Sequence, residues 1–230
     1  MAVVNTPNGS FERDPEDIYI TAHMNSGHVF ESHIINGIIL PNIKNCKYIC
    51  DIGANIGCHA VSYANANKDC KVWAFEPQKK LYGILERNVS RNNLNDRLLV
   101  HNFGLGHKEM TTKLSPLESV YDPARQGHNK GGLGIGQGGE GIEIRTIDSM
   151  NLPGLDFMKI DVEGAEGLVI MGATETIKKY RPIIFFEHTS QTIDPKVVGL
   201  DHVPTPFEVL VKLGYRVFQY TDWENYITFP

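Results

Sequence analysis

The chain has 230 residues, 41% of them hydrophobic and 21% charged, with a net charge of −5. That length supports one sizeable core, is short for two, and places the chain in a soluble globular class. Basic residues fall in doublets (Lys79-Lys80, Lys178-Lys179) and form no phosphate-neutralising stripe, which tells against a nucleic-acid partner; no apolar run approaches the roughly 18 residues of a membrane span.

The opening Met1-Ala2-Val3-Val4-Asn5 lacks the charged and then apolar stretches of a secretory leader. Cys46, Cys50, Cys58 and Cys70 match no zinc spacing and read as reduced structural thiols, which suits a cytoplasmic protein. Residues 1–45 read as a helical extension. Within it Val29, Phe30, Ile34, Ile35, Ile38 and Ile39 fit a helix with one buried face, ended by Gly37 or Pro41. It either packs on the core or lies across a cofactor mouth with Glu31 or His33 facing inward.

The core begins with the strand Tyr48-Ile49-Cys50-Asp51. Gly53 and Gly57 then frame a tight turn into a helix from His59 onward. Such a turn lets backbone approach a ligand closely and presents a helix N-terminus to it. The pattern Asp51-x-Gly53-x-x-x-Gly57 lacks the middle glycine of dinucleotide sites, and Asp51 would repel a pyrophosphate. A second strand, Lys71 to Phe75, closes on Glu76-Pro77, where an acid can accept two hydrogen bonds from a ribose diol. Together these ask for a nucleoside that carries positive charge and no phosphate, which S-adenosylmethionine is.

Residues 78–92 read as a helix, and Leu98 to Asn102 as a third strand ending where Asn102 and Gly104 can meet an adenine edge. Met110 to Leu114 is a further candidate strand. Residues 127–141 hold eight glycines in fifteen positions, too costly in backbone entropy for a helix or packed strand. They read as a lid that orders over substrate, or as a floppy insertion. Ile142 to Ile147 alternates as a strand. Leu155 to Ile160 is the fourth core strand, followed by Asp161-Val162-Glu163-Gly164-Ala165-Glu166 and a helix to about Met171. Ile183 to Phe186 is the fifth, ending in Glu187-His188; a helix at 206–213 and an antiparallel hairpin over 214–220 and 225–229 close the chain. The alternation of strand and helix predicts a parallel α/β sheet with ligands at the strands' C-terminal ends, in a single domain over 1–230.

Asp51 to Gly57, Phe75-Glu76-Pro77 and Lys159 to Glu166 together closely resemble the FkbM-like S-adenosylmethionine-dependent methyltransferases. Thr146-Ile147-Asp148-Ser149, Arg181-Pro182 and Leu213 to Val217 fall where that family has similar residues. The resemblance covers roughly residues 45–220, and Asp161 to Glu166 is its specific signal. Cys58-His59 departs from it, since many members carry a small or aromatic residue and then Thr or Ser there. The resemblance implies a Rossmann-like class I methyltransferase: a seven-stranded, mostly parallel sheet with an antiparallel last strand and helices on both faces. It implies O-methylation, often of sugar hydroxyls in glycans or natural products, with a deoxyhexose such as rhamnose among the candidates. Asp51, Gly53, Asn55 and Gly57 would line the methionine part of the cofactor. Glu76, with Pro77, would hold the ribose, Asn102 and Gly104 would lie beside adenine, and Asp161 would stand beside the methyl group.

A sugar hydroxyl loses its proton as the new bond forms, so a positioned base is expected among Asp161, Glu163, Glu187 and His188. Alternatively, Asp161, Glu187 and His188 hold a divalent cation such as magnesium that acidifies the hydroxyl. Glu163 and Glu166 also suit plain helix capping. Asp161-Val162-Glu163-Gly164 is not the Asn/Asp-Pro-Pro-aromatic sequence that serves amino acceptors, so oxygen is the expected acceptor. A nicotinamide enzyme is disfavoured by the missing glycine, and a non-catalytic adenosine-binding module by the number of carboxylates.

Overall fold

The computed structural model describes residues 3–124, 126–189, 192–221 and 224–230. A hairpin of β1 (Val3–Thr6) and β2 (Gly9–Glu12) comes first, then α1 (Ile18–Met24), so the leading segment is not purely helical. Next come α2 (Ser32–Ile34), a π-helical turn (Ile35–Ile39) and α3 (Leu40–Ile43). The helix expected to stop at Gly37 or Pro41 therefore runs through both. The wide turn takes the backbone out of α register just before Pro41, whose missing N–H and bulky ring would otherwise break the ladder. Ile34, Ile35, Ile39 and Ile43 are buried along it, as the apolar spacing requires.

The core alternates as expected: β3 (Tyr48–Ile52), α4 (Cys58–Ala66), β4 (Lys71–Phe75), α5 (Lys79–Arg91) and β5 (Leu98–His101). After β6 (Gly104–Leu105) and β7 (Met110–Leu114) come the short β8 (Tyr121–Asp122), β9 (Gly127–His128) and β10 (Ile135–Gly136), then β11 (Gly141–Arg145). The chain re-enters the core with β12 (Phe157–Ile160), α6 (Glu166–Met171), α7 (Thr174–Tyr180) and β13 (Ile183–Glu187). It ends with α8 (Pro195–Val198), α9 (Pro206–Lys212), β14 (Phe218–Tyr220) and β15 (Asn225–Thr228).

The main sheet has seven strands in the order β14-β15-β13-β12-β3-β4-β5. Every pairing from β13 across to β5 is parallel, and β15 alone runs against its neighbours. Strand polarity explains the two cores. Ile49 and Val72 point to the face covered by the leading segment, α4 and α5; Cys50, Ile52, Trp73 and Phe75 point to the face covered by α6, α7 and α9. The chain runs outward from β3 to β5, then returns to lay β12 on the other side of β3. That reversal opens a crevice above the C-terminal ends of β3 and β12, the usual place for a ligand in such sheets.

A second sheet, ordered β10-β7-β11-β6, stands over one end of the crevice. The glycine-rich run is part of it, contrary to the expectation that such a run cannot pack as strand: Ile135 and Gly136 pair with Leu114 and Lys113. The reason is steric. A Cβ on Gly139 would lie 2.4 Å from the Ser115 carbonyl oxygen and 2.6 Å from that of Leu114, so close packing against this backbone needs glycine there; one on Gly131 would lie 2.5 Å from the Asn55 side-chain amide. All four cysteines are buried free thiols; burial pushes Cys46 and Cys58 up to about 12, which leaves them unreactive. Among the described residues no helix is long and apolar enough to cross a membrane.

Candidate active site

The floor of the crevice is the turn after β3. Gly53 has φ +78, and a Cβ there would lie 1.8 Å from the Asp161 carbonyl oxygen. Only glycine lets the first loop and the end of β12 meet so closely. Asn55 follows in the left-handed region, and its N–H donates to Glu76 Oε2 at 2.9 Å, while the Gln78 N–H donates to Oε1 at 2.9 Å. Burial pushes the Glu76 carboxyl up to about 7, although these two N–H groups pull the other way. Each Glu76 oxygen keeps a second lone pair for a hydroxyl, as a ribose diol would require.

Beyond Glu76 the cavity becomes apolar, walled by Phe75, Leu105, Leu114, Ile142 and Ile144, with Pro77 and Gly104 at its edge. An apolar wall of this kind suits an adenine ring. Asn102 is not part of the wall. Its amide donates to the carbonyl oxygens of Glu76 (2.9 Å) and Pro77 (3.0 Å), fixing the turn that carries Glu76. Gly57, also left-handed, starts α4 with its Cα against Leu85 and likewise lies outside the lining. Asp51 is wholly buried beneath the floor.

At the opposite end sits a charged centre that joins the expected acids Asp161, Glu163 and Glu187 to a lysine inside the apolar strand Phe157-Met158-Lys159-Ile160. Lys159 is 3% exposed. Its ammonium lies 3.1 Å from Asp161 Oδ2, 3.2 Å from the Gly53 carbonyl oxygen and 3.6 Å from Asp51 Oδ1. Burial opposes the ammonium, but attraction to Asp161 and Asp51 outweighs it, so Lys159 holds its proton more tightly than a free lysine. Burial alone would raise the Asp161 carboxyl; Lys159, and then a hydrogen bond with Glu187, hold it below its usual range. Glu187, at the end of β13, is driven the other way by burial and by repulsion from Asp161 and Glu163. It therefore carries the proton of that hydrogen bond near neutral pH. Glu163 is raised to about 8 by burial and then by Asp161 and Glu166.

Asp161, Glu163 and Glu187 each bring a carboxylate oxygen within 4.8 Å of the others. His188 does not join them: its ring packs edge-on against Phe207, centroids 5.2 Å apart, and it is absent from the cavity lining. Glu166 caps the turn, accepting from the N–H groups of Val162 (3.2 Å) and Gly164 (3.0 Å). From the leading segment Phe30 and Glu31 line the cavity, whereas His33 does not. His59 lines it too, and so do Asn129, Gly131, Leu133 and Ile135 of the glycine-rich run. Lys159, His59 and Gln78 are the site residues that sequence reasoning passed over.

A Rossmann-like sheet with a reversed β15, a diol-binding acid after β4 and carboxylates after β12 and β13 defines a class I methyltransferase architecture. The chain belongs to the FkbM methyltransferase family: the family described as the methyltransferase FkbM domain matches residues 51–220. The methyltransferase sdnD of Sordaria araneosa is 26% identical over 76% of this chain and 79% of its own length. The hexuronic acid methyltransferase AglP of Haloferax volcanii is 26% identical over 70% of this chain, which spans 63% of that relative. Among solved structures, the methyltransferase FkbM from Methylobacillus flagellatus KT superposes with a TM-score of 0.54 at 20% identity, over 80% of this chain and 43% of that one. At that identity the likeness is one of fold. The chain is thus a methyltransferase of the S-adenosylmethionine-dependent kind. The residues present fit that cofactor: an apolar slot for the base, an acid with spare lone pairs for the ribose, and an anion-rich end for its cationic groups.

Proposed function

We propose that the chain, working as one catalytic domain, methylates a hydroxyl oxygen of a sugar. The observation that carries this reading is the carboxylate cluster of Asp161, Glu163 and Glu187 at the charged end of the cavity. A hydroxyl must lose a proton to become an ether, and such a cluster can take it. The relative named for a hexuronic acid supports a sugar as acceptor. When bound, S-adenosylmethionine supplies an electrophilic methyl group on a sulfonium.

Glu163 is the base in this reading. Its backbone is left-handed (φ +56) and Gly164 follows at φ +92, a turn that places the carboxylate on the cavity wall. A base that titrates near the working pH is the most effective kind and is worth typically about 10²–10⁴ in rate. Asp161, already held by Lys159 and Glu187, orients the acceptor hydroxyl. Alignment of that oxygen with the methyl carbon can contribute roughly 7–11 kcal/mol in favourable cases.

Cation assistance is a second reading, favoured by the mutual approach of the three carboxylates. Its ligands would be Asp161, Glu187 and Glu163, with Glu163 in the place first given to His188. The Lys159 ammonium beside Asp161 weighs against it, because it already balances that charge. The deciding experiment incubates the protein with labelled S-adenosylmethionine and a panel of hexuronic acids, neutral hexoses and deoxyhexoses. Label is expected in an alkali-stable methyl ether of a sugar, undiminished after exhaustive chelation. Label on nitrogen, or on no sugar, overturns the sugar reading; loss on chelation with recovery on adding magnesium selects the cation.

A further inference from the structure

Glu31 lies twenty residues before the start of the family match at residue 51, yet it forms part of the cavity wall. It sits in the left-handed region (φ +54), just ahead of α2. Its Oε2 lies 2.9 Å from His59 Nε2, and His59 Nδ1 lies 2.7 Å from the Tyr63 hydroxyl. His59 and Tyr63 are one turn apart on α4 and both buried, His59 at 5% exposure. The imidazole is therefore gripped at both nitrogens and fixes one oxygen of a carboxylate whose side chain keeps 19% exposure toward the cavity. Nothing in the packing of α4 demands this; a buried polar chain of three groups ending at a cavity wall is an arrangement for holding a ligand.

The neighbours say which ligand group. Cys58 and His59 open α4 directly after the turn that would carry the methionine part of the cofactor, and both line the cavity beside Gly53. An α-ammonium there needs acceptors. The Gly53 carbonyl and Asp161 are already bonded to Lys159, Asp51 is sealed below, and Glu187 is hydrogen-bonded to Asp161. Glu31 takes no hydrogen bond from those pairs and reaches the cavity from the leading segment, close enough for its charge to act on Lys159 and Glu187. We infer that Glu31, positioned by His59 and Tyr63, binds the α-ammonium of the cofactor's amino-acid end. The leading segment is then part of the cofactor site. This rests on the cofactor reading given above.

Calorimetry with three ligands tests it on the full chain: S-adenosylmethionine, S-adenosylhomocysteine, and 5′-methylthioadenosine, which lacks the amino-acid end. Glu31→Gln is expected to weaken the first two by about ten- to a hundredfold, the range of a charge-assisted hydrogen bond, and to leave the third within about twofold. His59→Phe, which unties the carboxylate without removing it, is expected to weaken the same two ligands by less. Unchanged methylthioadenosine affinity shows that each variant is folded. Equal loss for all three ligands, no loss for any, or loss confined to S-adenosylmethionine overturns the assignment, the last because it would place Glu31 at the sulfonium. A raised KM for the acceptor with cofactor affinity intact also overturns it and gives Glu31 to the acceptor. Failure of the unaltered protein to bind S-adenosylmethionine would instead defeat the parent reading.

Discussion

Lys159 is set among the buried carboxylates of the charged end, and its removal takes the ammonium from both Asp51 and Asp161. Breaking a buried ion pair from one side costs about 3–5 kcal/mol. Lys159→Met is accordingly expected to lower the unfolding free energy from urea titration by an amount in that range; a value within error of the parent would show that Asp51 simply takes up a proton. Glu163 is different, because it lies at the cavity wall and its loss should spare the fold. Glu163→Gln is expected to reduce kcat by about 10²–10⁴ at saturating cofactor. In the parent, turnover should rise with pH as Glu163, raised to about 8, gives up its proton; a flat profile between pH 6 and 9 would remove it from the role. Much of this centre could be read from residue types alone, because Asp161, Glu163 and Glu187 follow strand ends. His188 could not be placed that way. Successive residues leaving a strand diverge, and whether the second one enters a crevice depends on the aromatic packing at Phe207.

The glycine-rich run shows where composition misleads about an element. Backbone entropy disfavours ordering glycine, but that cost is offset when the neighbours supply pairings and a clamp. Here Lys130, only 7% exposed, donates from its ammonium to Asp14 at 3.0 Å, and its N–H donates to Asp17 Oδ2 at 3.0 Å. Gln78 donates to the Lys130 carbonyl oxygen at 2.9 Å, and a Cβ on Gly127 would lie 2.2 Å from Ile18. The run is thus tied to the leading segment on one side and to α5 on the other. Lys130→Met takes one of two lysines from the buried Asp14 carboxylate, which keeps Lys80 at 2.9 Å, and removes the tie between that acid and the glycine-rich run. Amide exchange across 127–136 is expected to accelerate at least tenfold, with the core strands unchanged; equal protection in the variant would mean that the pairing of β10 with β7 holds the run unaided. Sequence showed no sign of this clamp, because its acids and its lysine are more than a hundred positions apart.

For the folded chain as a unit, the raised carboxyl of Glu187 links stability to pH. In the folded state it keeps its proton well above the normal range, while in the unfolded chain it ionises near pH 4.5. Its contribution is complete below that value and is lost as pH climbs toward the folded one. Glu187→Gln mimics the protonated form, so it should melt with the parent near pH 4.5 and several degrees above it at pH 8; coincident melting at both would refute the linkage. The parallel α/β sheet was legible because buried strands alternate with amphipathic helices, and the closing antiparallel hairpin from the strand-like runs at 214–220 and 225–229; the resemblance supplied the count of seven strands. The leading hairpin was not, since Val3–Thr6 and Gly9–Glu12 are too short for a pattern. The placement of β15 has a consequence for synthesis. It lies between β13 and β14, with Asn225 paired to Glu187. A nascent chain emerging from the ribosome would hold β14 unpaired, and the flank of Glu187 uncovered, until the residues after 224 are released. The crevice between β3 and β12 can therefore close before the edge of the sheet that flanks Glu187 is complete.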